Sequence, residues 1–346
     1  MERGLVTIAI VTYNSEEYIE RCLKYVLEQD YPRKEIIVVD NASADRSAAI
    51  VAKFGSAVRA TYNPKNVGFA AGQNQAIAQS RGEWILTLNP DVRLSPDFIS
   101  KLIAASESDQ SAGSTCGKLL AMGSDFAIPS RPLFDSTGIY MTPNLRHFDR
   151  GSRIPDEGQY DRCEYVFGGT GAACLYRREM IDDISIDGEF FDADFFAYRE
   201  DADVAWRAQL LGWKCLYNPL AVAWHVRSVL PENRRSLPPV INMHSVKNRW
   251  LLRIKNTTFD LYWRHWLAIT ARDVIVIGGC LLREWSSLRA FWLVLRDLKT
   301  AFRKRSAIMH RKRVTDAHIA AWFSNLPVSY PREQPLRAPF EEATSV

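Results

Sequence analysis

The sequence predicts an α/β protein, with a mainly parallel β-sheet flanked by helices and a helical C-terminal extension. Short apolar runs alternate with segments of helical periodicity over residues 1–120. Repeated strand–helix–strand units require right-handed crossovers and therefore a mainly parallel sheet. Residues 240–325 have a helical pattern without this alternation. The composition, 47% hydrophobic and 24% charged, is that of a folded globular protein.

The elements of the sheet can be assigned in chain order. Strands are expected at residues 5–12, 35–40, 58–62 and 83–88, and helices at residues 15–29, 43–54 and 69–80. In the first helix, Ser15 suits the N-cap, and Ile19 and Leu23 share one face. Residues 121–165 are rich in Gly, Pro, Ser and Arg, and are expected to form a long loop or a small hairpin insertion.

The distribution of charge divides the chain into regions. Residues 240–330 contain 16 Lys and Arg against 5 Asp and Glu, although the whole chain has a net charge of only +4. We therefore expect a slightly acidic main domain at residues 1–235, a basic, aromatic-rich helical extension at 236–330 and a tail at 331–346. The six cysteines form no C-x-x-C pair, and the apolar run Leu5–Val11 is too short for a secretory signal. Both features favour free thiols and a cytoplasmic location.

Three polar loops follow predicted strands. Ligands of such sheets bind beyond the carboxyl ends of the strands, and the loops there are Thr12-Tyr13-Asn14, Asp40-Asn41-Ala42-Ser43 and Asn89-Pro90-Asp91. The Asp40 carboxylate can accept the imide N–H of uracil or thymine, or it can cap the next helix. The segment from Asn66 to Asn74 opens a helix with two glycines. Its free N–H groups suit a ribose or diphosphate, but tight helix–sheet packing explains the glycines equally well.

Acidic and imidazole side chains form a second set of candidates. Asn89 and Asp91 offer an amide and a carboxylate to a hard divalent cation, although N-P-D is also a turn sequence. His225 ends a strand-like run and could complete this cation site, or be structural. Glu200-Asp201-Ala202-Asp203 begins a helix, where acids are favoured by the macrodipole. Because apolar residues 195–198 precede it, at least one carboxylate is expected to be partly buried, which raises its pKa and suits a general base.

Together these segments resemble the family 2 glycosyltransferases, whose fold is called GT-A. The similarity covers residues 5–230 and is carried by V-T-I-A-I-V-T-Y-N-S-E-E-Y-I, I-I-V-V-D-N-A-S-A-D-R-S, N-P-K-N-V-G-F-A-A-G-Q-N-Q-A-I, L-T-L-N-P-D-V, F-F-A-Y-R-E-D-A-D-V-A-W-R and A-V-A-W-H. Asn89 stands where the family has the first Asp of D-x-D. The N-P-D variant and the N-V-G-F-A-x-G-x-N phrase look most like the rhamnosyltransferase-like and galactofuranosyltransferase-like subgroup.

The resemblance implies roles for individual residues. Asp201 would be the catalytic base of an inverting transfer, and Asp91 and His225 would hold Mg²⁺ or Mn²⁺. The expected donor-binding residues are Thr12, Tyr13, Asn14, Asp40, Asn41, Asn66, Gly68, Phe69, Asn74 and Asn89, and the expected acceptor-side residues are Gly169, Thr170, Glu200 and Trp224. The implied donor is dTDP-L-rhamnose, with a UDP-sugar as the alternative. The implied acceptor is a glycan or a polyprenyl-diphosphate-linked sugar in cell-surface polysaccharide synthesis.

The extension has a composition suited to a membrane surface. Residues 240–325 contain Trp250, Trp263, Trp266, Trp285, Trp292 and Trp322 among many Arg and Lys. Charged residues interrupt the apolar stretch Val274–Leu295, which argues against a spanning helix. Amphipathic helices on the anionic inner face of the cell membrane are expected, with residues 303–305 and 311–313 against lipid phosphates. The alternative is a helical subdomain with a solvated basic face. Nucleic acid is not expected as a partner, because no recognition motif is present.

Two other function classes are disfavoured by the sequence. A sugar-phosphate nucleotidyltransferase should have a Gly-rich loop with Arg and Lys directly after the first strand, where this chain has Thr12-Tyr13-Asn14-Ser15. A non-catalytic glycan-binding protein would have no need for the acids at 91 and 201 or the histidine at 225.

Overall fold

The computed structural model describes residues 1–227 and 239–332. The strands are β1 (Glu2–Thr12), β2 (Lys34–Asp40), β3 (Arg59–Tyr62), β4 (Gly82–Leu88), β5 (Val92–Leu94), β6 (Ala112–Ala121), β7 (Phe134–Ser136), β8 (Ile139–Met141), β9 (His147–Asp149), β10 (Glu164–Val166), β11 (Ala173–Arg177), β12 (Lys214–His225) and β13 (Tyr330–Pro331). The helices are α1 (Ile19–Leu27), α2 (Ser47–Ala52), α3 (Phe69–Gln79), α4 (Phe98–Glu107), α5 (Arg178–Ile184), α6 (Glu200–Leu210), α7 (Pro239–Asn256), α8 (Phe259–Leu282), α9 (Arg289–His310) and α10 (Asp316–Ala320).

One large mixed sheet forms the centre of the fold. Its strand order is β13-β10-β12-β6-β11-β4-β1-β2-β3, with β5 beside β12 and β7 beside β6, while β8 and β9 form a separate hairpin. The strands β4, β1, β2 and β3 are parallel, as are β6 and β12, whereas β11 runs antiparallel between β4 and β6. The predicted α/β fold with a helical C-terminal region is confirmed. The sheet is mixed because the short strands β5, β7, β10 and β11 run antiparallel to their neighbours, whereas β6 and β12 keep the direction of β4.

The sheet buries apolar side chains on both faces. Along β1, Val6, Ile8 and Ile10 pack on the face covered by α1, and Ala9 and Val11 pack on the opposite face. This alternation follows from the two-residue period of a strand. Burying each such Val or Ile stabilises the fold by about 1.5–3 kcal/mol. A rigid sheet therefore supports the loops at the carboxyl ends of its parallel strands.

Two segments can be compared with the prediction in detail. Residues 121–165 contain β7, the β8–β9 hairpin and the start of β10, which agrees with the hairpin insertion rather than with the long loop. The first helix begins at Ile19 rather than at Ser15. The N–H groups of Asn14 and Ser15 instead donate to the hydroxyls of Ser43 and Ser47, at 2.9 and 2.8 Å. This pairing joins the loop after β1 to the loop after β2.

The C-terminal helices pack directly on the main domain. Leu251 and Leu252 of α7 belong to the same buried cluster as Trp206 of α6. Buried Asp203 of α6 accepts hydrogen bonds from Lys255 (2.9 Å) and from the following Asn256 (2.7 Å). The expected domain boundary after residue 235 lies outside the described residues, as does most of the expected tail.

The two basic triplets expected at lipid phosphates have partners within the protein. Lys304 is buried and lies 2.6 Å from Asp192 Oδ1. Arg305 donates to the carbonyl oxygens of residues 254 and 257, at 2.9 and 2.7 Å. In the second triplet, Arg313 pairs with Asp183 at 2.7 Å. The contacts of Lys304 and Arg305 stabilise the packing of α9 on the main domain. The expected contact of the two triplets with lipid phosphates stays a prediction.

Candidate active site

The segment Gly168–Ala172 connects the predicted base to the predicted metal loop. The Gly171 N–H donates to Asp201 Oδ2 (3.1 Å), and the Ala172 carbonyl accepts the Asn89 N–H (2.8 Å). Immediately afterwards, β11 pairs antiparallel with β4, with Ala173 opposite Leu88. This strand register is the reason that residues more than 100 positions apart in the chain meet at one end of the sheet. The structure thus brings Asp201 and the loop containing Asp91 together.

His225 lies between two carboxylates. Its Nε2 is 3.3 Å from Asp91 Oδ1, and its Nδ1 is 2.8 Å from Asp135 Oδ2. The pairing of β5 with β12 sets this arrangement, because His225 is opposite Val92. Burial disfavours the imidazolium, but the two carboxylates outweigh it and raise the pKa of His225 to about 10. For Asp91, burial acts to raise the pKa, but the charge of His225 holds it below the ordinary aspartate value.

Asp91 and His225 fit a cation that takes its remaining ligands from outside the protein. Within residues 1–227 and 239–332, no group of three or more His, Cys, Asp or Glu side chains could hold a metal ion. Mg²⁺ and similar ions commonly use one or two carboxylates and complete their coordination with substrate phosphates and water. The Asp135 carboxylate at Nδ1 leaves Nε2 as the nitrogen directed at Asp91, which is the orientation that a ligating imidazole needs.

Three charged residues of this site were missed by the sequence analysis. Arg227 Nε is 2.8 Å from Asp135 Oδ1, and Arg227 Nη2 is 2.7 Å from Asp149 Oδ2. Asp135 lies in β7 and Asp149 in β9, so the insertion contributes directly to the site. Neither acid is part of a periodic pattern, and the one available signal was the position of Arg227 two residues after His225.

Two adjacent carboxyl groups at the start of α6 have different surroundings. Glu200 is buried and its Oε2 has no hydrogen-bond partner among the described residues. Burial, followed by the charge of Asp201, raises the pKa of Glu200 to about 8. Burial also raises the pKa of Asp201, although the Gly171 N–H opposes it, and the charge of Asp149 adds to the rise. Because a pKa of about 8 keeps Glu200 protonated at neutral pH, Asp201 is the candidate proton acceptor of the pair.

The loop before α6 is strained and is held in place by α7. Phe196, Tyr198 and Arg199 all have positive φ angles, of 67°, 71° and 76°, and such non-glycine residues typically cost about 1–3 kcal/mol each. Asn248 of α7 is fully buried, and its Nδ2 lies 2.8 Å from the carbonyl oxygens of residues 195, 197 and 198. The Arg199 side chain donates to the Ser245 carbonyl at 3.2 Å. The helical extension therefore fixes the backbone that leads into Asp201.

The expected nucleotide pocket contains two unsatisfied oxygen atoms. Thr12 and Asp40 are opposite each other at the ends of β1 and β2. Asp40 Oδ2 accepts the Ser43 N–H at 3.1 Å, whereas Asp40 Oδ1 and Thr12 Oγ1 are buried without a partner among the described residues. A buried acceptor of this kind requires a donor, and the imide N–H of a pyrimidine supplies one. Tyr13, in the same loop, is half exposed.

Several residues of the predicted donor site hold the pocket together. Asn41 Nδ2 donates to the Gly68 carbonyl (3.0 Å), and the Gly68 N–H donates to Asn66 Oδ1 (2.8 Å). Gly68 has a φ of +89°, and an added Cβ would lie 2.6 Å from the ring of Phe196. Phe69 lies near Gly171, on the Asp201 side of the pocket. Close packing therefore requires a glycine at position 68, which agrees with the packing explanation given for the glycines of this segment.

Four predicted site residues have other contacts in the structure, and their roles toward donor and acceptor stay predictions. Both groups of the Asn74 side-chain amide bond the Phe191 backbone (2.6 and 2.9 Å), so Asn74 joins α3 to the segment before α6. Trp224 lies 5.6 Å from the Arg93 guanidinium, on the face of β12 opposite His225, because adjacent strand residues alternate. Gly169 packs against Cys174 and Cys116, and Thr170 is buried. Their segment reaches Asp201 through its backbone rather than through these two residues.

Comparison with known proteins gives the family. Glycosyl transferase family 2 matches residues 7–185. The poly-beta-1,6-N-acetyl-D-glucosamine synthase of Staphylococcus aureus (strain COL) is 24% identical over 225 residues, covering 63% of this chain and 49% of that protein. The chain thus spans about half the length of the curated relatives it matches first.

Two solved structures share the fold. GalNAc-T7 with UDP, GalNAc and Mn²⁺ has a TM-score of 0.57 at 13% identity, covering 72% of this chain and 48% of that one. S. aureus TarS 1–349 in complex with UDP-GlcNAc has a TM-score of 0.52 at 18% identity, covering 88% and 83%. The family match extends over more than half of the chain and includes the pocket at Asp40 and the Asp91 loop. The chain belongs to glycosyl transferase family 2.

Proposed function

We propose that this protein is an inverting glycosyltransferase in which Asp201 is the catalytic base. The observation that carries the proposal is the position of Asp201. Its carboxylate is bound by Gly171, in the same short segment whose Ala172 carbonyl binds the loop of Asp91. A proton acceptor with a raised pKa thus lies beside the candidate cation and diphosphate site.

The proposed reaction is a single displacement at the anomeric carbon of the donor sugar. An acceptor hydroxyl gives its proton to Asp201 while its oxygen forms the new glycosidic bond. The bond between the anomeric carbon and the diphosphate oxygen breaks at the same time, and the nucleoside diphosphate leaves with the electron pair. Attack from the face opposite the leaving group inverts the configuration. Mg²⁺ or Mn²⁺ bound at Asp91 and His225 would supply positive charge to the departing diphosphate.

The donor is proposed to be a pyrimidine nucleotide-diphosphate sugar. The unsatisfied Asp40 Oδ1 supports a base with an imide N–H. Our first candidate is dTDP-L-rhamnose, because of the N-P-D and N-V-G-F-A-x-G-x-N motifs. A UDP-sugar is the second candidate, supported by the structural neighbours whose names include UDP and UDP-GlcNAc.

The acceptor is proposed to be a growing glycan or a polyprenyl-diphosphate-linked sugar used for cell-surface polysaccharide. A polysaccharide synthase among the relatives supports the first possibility. The association of the helical extension with the loop before Asp201 supports the second, since a lipid-linked acceptor needs a membrane-facing element close to the base.

A donor panel tests this function. The protein would be incubated with Mn²⁺ or Mg²⁺ and dTDP-L-rhamnose, UDP-GlcNAc, UDP-galactose or GDP-mannose, and nucleoside diphosphate release would be measured. We expect release from one pyrimidine donor, a loss of about tenfold or more in affinity for it in Asp40→Asn, and an unchanged affinity in the exposed control Asp182→Asn. A preference for GDP-mannose would refute the assignment of a pyrimidine nucleotide to the Asp40 pocket. An absence of release from every donor would refute the transferase proposal.

A further inference from the structure

Helix α8 exposes an unusually apolar surface. It has 24 residues, and only 11% of its most apolar 18-residue stretch is buried inside the protein. Among the helices of the described chain, it is the one long and apolar enough to cross a membrane. Soluble proteins seldom leave a contiguous apolar face of this size without a partner.

The two faces of α8 are clearly separated. Leu261, Ile269 and Cys280 are buried on the inner face. The outer face carries large exposed apolar side chains at helical spacing, namely Phe259, Tyr262, Trp263, Trp266, Leu267, Val274, Ile277 and Leu281. At 1.5 Å per residue, the outer stripe from Phe259 to Leu281 is about 35 Å long. It is much larger than a contact for a single side chain.

Aromatic and basic residues continue the stripe beyond the end of α8. Trp285, Trp292, Leu295 and Phe302 are exposed on the turn after α8 and on α9. Arg264, Arg283, Arg289 and Lys299 are also exposed, and none of the four has an ion pair with another described residue. Trp is favoured at the boundary between lipid and water, and Lys and Arg are favoured beside anionic headgroups. This combination fits a lipid surface better than a protein partner.

We propose that α8 and the exposed side of α9 form a membrane-binding surface that lies in the plane of an anionic bilayer. The inner face of α8 argues against a spanning orientation. Asp273 pairs with Arg249 (3.0 Å) and Arg253 (2.6 Å) of α7. A helix that crossed the membrane would have to break these pairs and place Asp273 in hydrocarbon, at a large cost. A helix lying at the interface keeps them while it buries the outer stripe.

The surface is connected to the candidate active site through α7. Cys280 of α8 and Ala290 of α9 pack against Val246 of α7 in one buried cluster. The neighbouring Asn248 binds the loop before Asp201. The bilayer would therefore lie on the side of the protein that holds the loop before the proposed catalytic base, Asp201, in place. Delivery of a lipid-linked acceptor at this location rests on the proposed function. Membrane binding by the surface does not depend on the proposed function.

Vesicle flotation of the full chain tests the surface. The vesicles would contain phosphatidylethanolamine with phosphatidylglycerol, or phosphatidylcholine alone. Leu267 and Val274 are each 65% exposed, so Leu267→Glu/Val274→Glu should leave the fold intact, and circular dichroism would check this. Leu326→Glu, at a 75% exposed site outside the surface, is the matched control. We expect binding to anionic vesicles to fall about tenfold or more in the double variant, and to be unchanged in the control.

Three results would overturn the proposal. They are an absence of flotation of the wild-type chain with anionic vesicles, equal flotation of the folded double variant, and a dimer in light scattering that the double variant dissociates, since a second copy would then cover the stripe. Quenching of tryptophan fluorescence by spin-labelled lipid provides a second measurement, and we expect quenching of the wild type only. Donor hydrolysis without vesicles is measured on the same samples, so that a failure of the membrane surface is distinguished from a failure of the transferase proposal.

Discussion

The Nε2 atom of His225 lies 3.3 Å from the Asp91 carboxylate, although 134 residues separate the two in sequence. The other ring nitrogen of His225 is bound by Asp135 at 2.8 Å. The imidazole is therefore fixed in orientation before any ligand binds. A site built in this way holds the imidazole in place for a cation bound with a diphosphate, and the cation would displace the proton that Nε2 shares with Asp91.

We expect Asp135→Asn to weaken cation binding without removing a cation ligand. The amide can present an N–H to His225 Nδ1, which places the ring proton on the nitrogen that should face the cation. Loss of a carboxylate that hydrogen-bonds a metal-ligating histidine typically lowers metal affinity about 10–100-fold. Calorimetry with Mn²⁺ in the presence of UDP or dTDP measures it, and an unchanged Mn²⁺ affinity would show that Asp135 only supports the fold.

The pH dependence of transfer should report the environment of Asp201. Burial and the charge of Asp149 raise the pKa of Asp201, so the base is lost by protonation at a higher pH than for an ordinary aspartate. We expect the rate to rise with pH through this raised pKa. In Asp149→Asn, one source of the rise is removed and Arg227 loses a partner. The acid limb should then move to lower pH in a pH–kcat profile, and a shift to higher pH would contradict the assignment.

Because Glu200 is buried, the folded protein should become less stable as a rising pH ionises this carboxyl group. Its pKa is about 8 in the folded protein against about 4.3 in an unfolded chain, so the folded state binds more protons between these values. The stabilisation is complete below the lower pKa and is lost as the pH rises through about 8. Glu200→Gln, which stays neutral, should therefore gain in melting temperature relative to wild type from pH 5 to pH 8, while transferring sugar at a similar rate at pH 7. A melting-temperature difference between the two proteins that does not change with pH would show that Glu200 is not held uncharged in the folded state.

Asn248 should control the catalytic rate from outside the pocket. Asn248→Ala removes the donor that lies 2.8 Å from three carbonyl oxygens in the strained loop before Asp201. We expect a loss of about 1–3 kcal/mol in the free energy of unfolding and a lower kcat with little change in KM for the donor. Asn248→Asp should be more damaging, because it places an acceptor against the same carbonyl groups. An unaltered kcat in a folded Asn248→Ala variant would show that α7 does not influence the catalytic step.

The residues at the strand ends could be found from the sequence, and their partners could not. Asp40 and Asp91 follow predicted strands, and the parallel-sheet rule places such residues at one edge. Asp135 and Asp149 come from an insertion without periodicity, and Asn248 acts through helix packing that one sequence does not specify. The position of Trp224 could also be found from the sequence, since His225 and its neighbour must face opposite sides of the strand.

In the proposed reaction, Asp201 removes the proton of the acceptor hydroxyl. The most direct test compares Asp201→Asn with wild type in a transfer assay, with UDP and dTDP binding measured on the same preparations. The amide can keep the contact with the Gly171 N–H through its oxygen but cannot accept a proton. We expect transfer to fall about 10²–10⁴-fold while nucleotide affinity stays the same. A variant that binds nucleotide normally and transfers sugar at the wild-type rate would show that Asp201 is not the catalytic base.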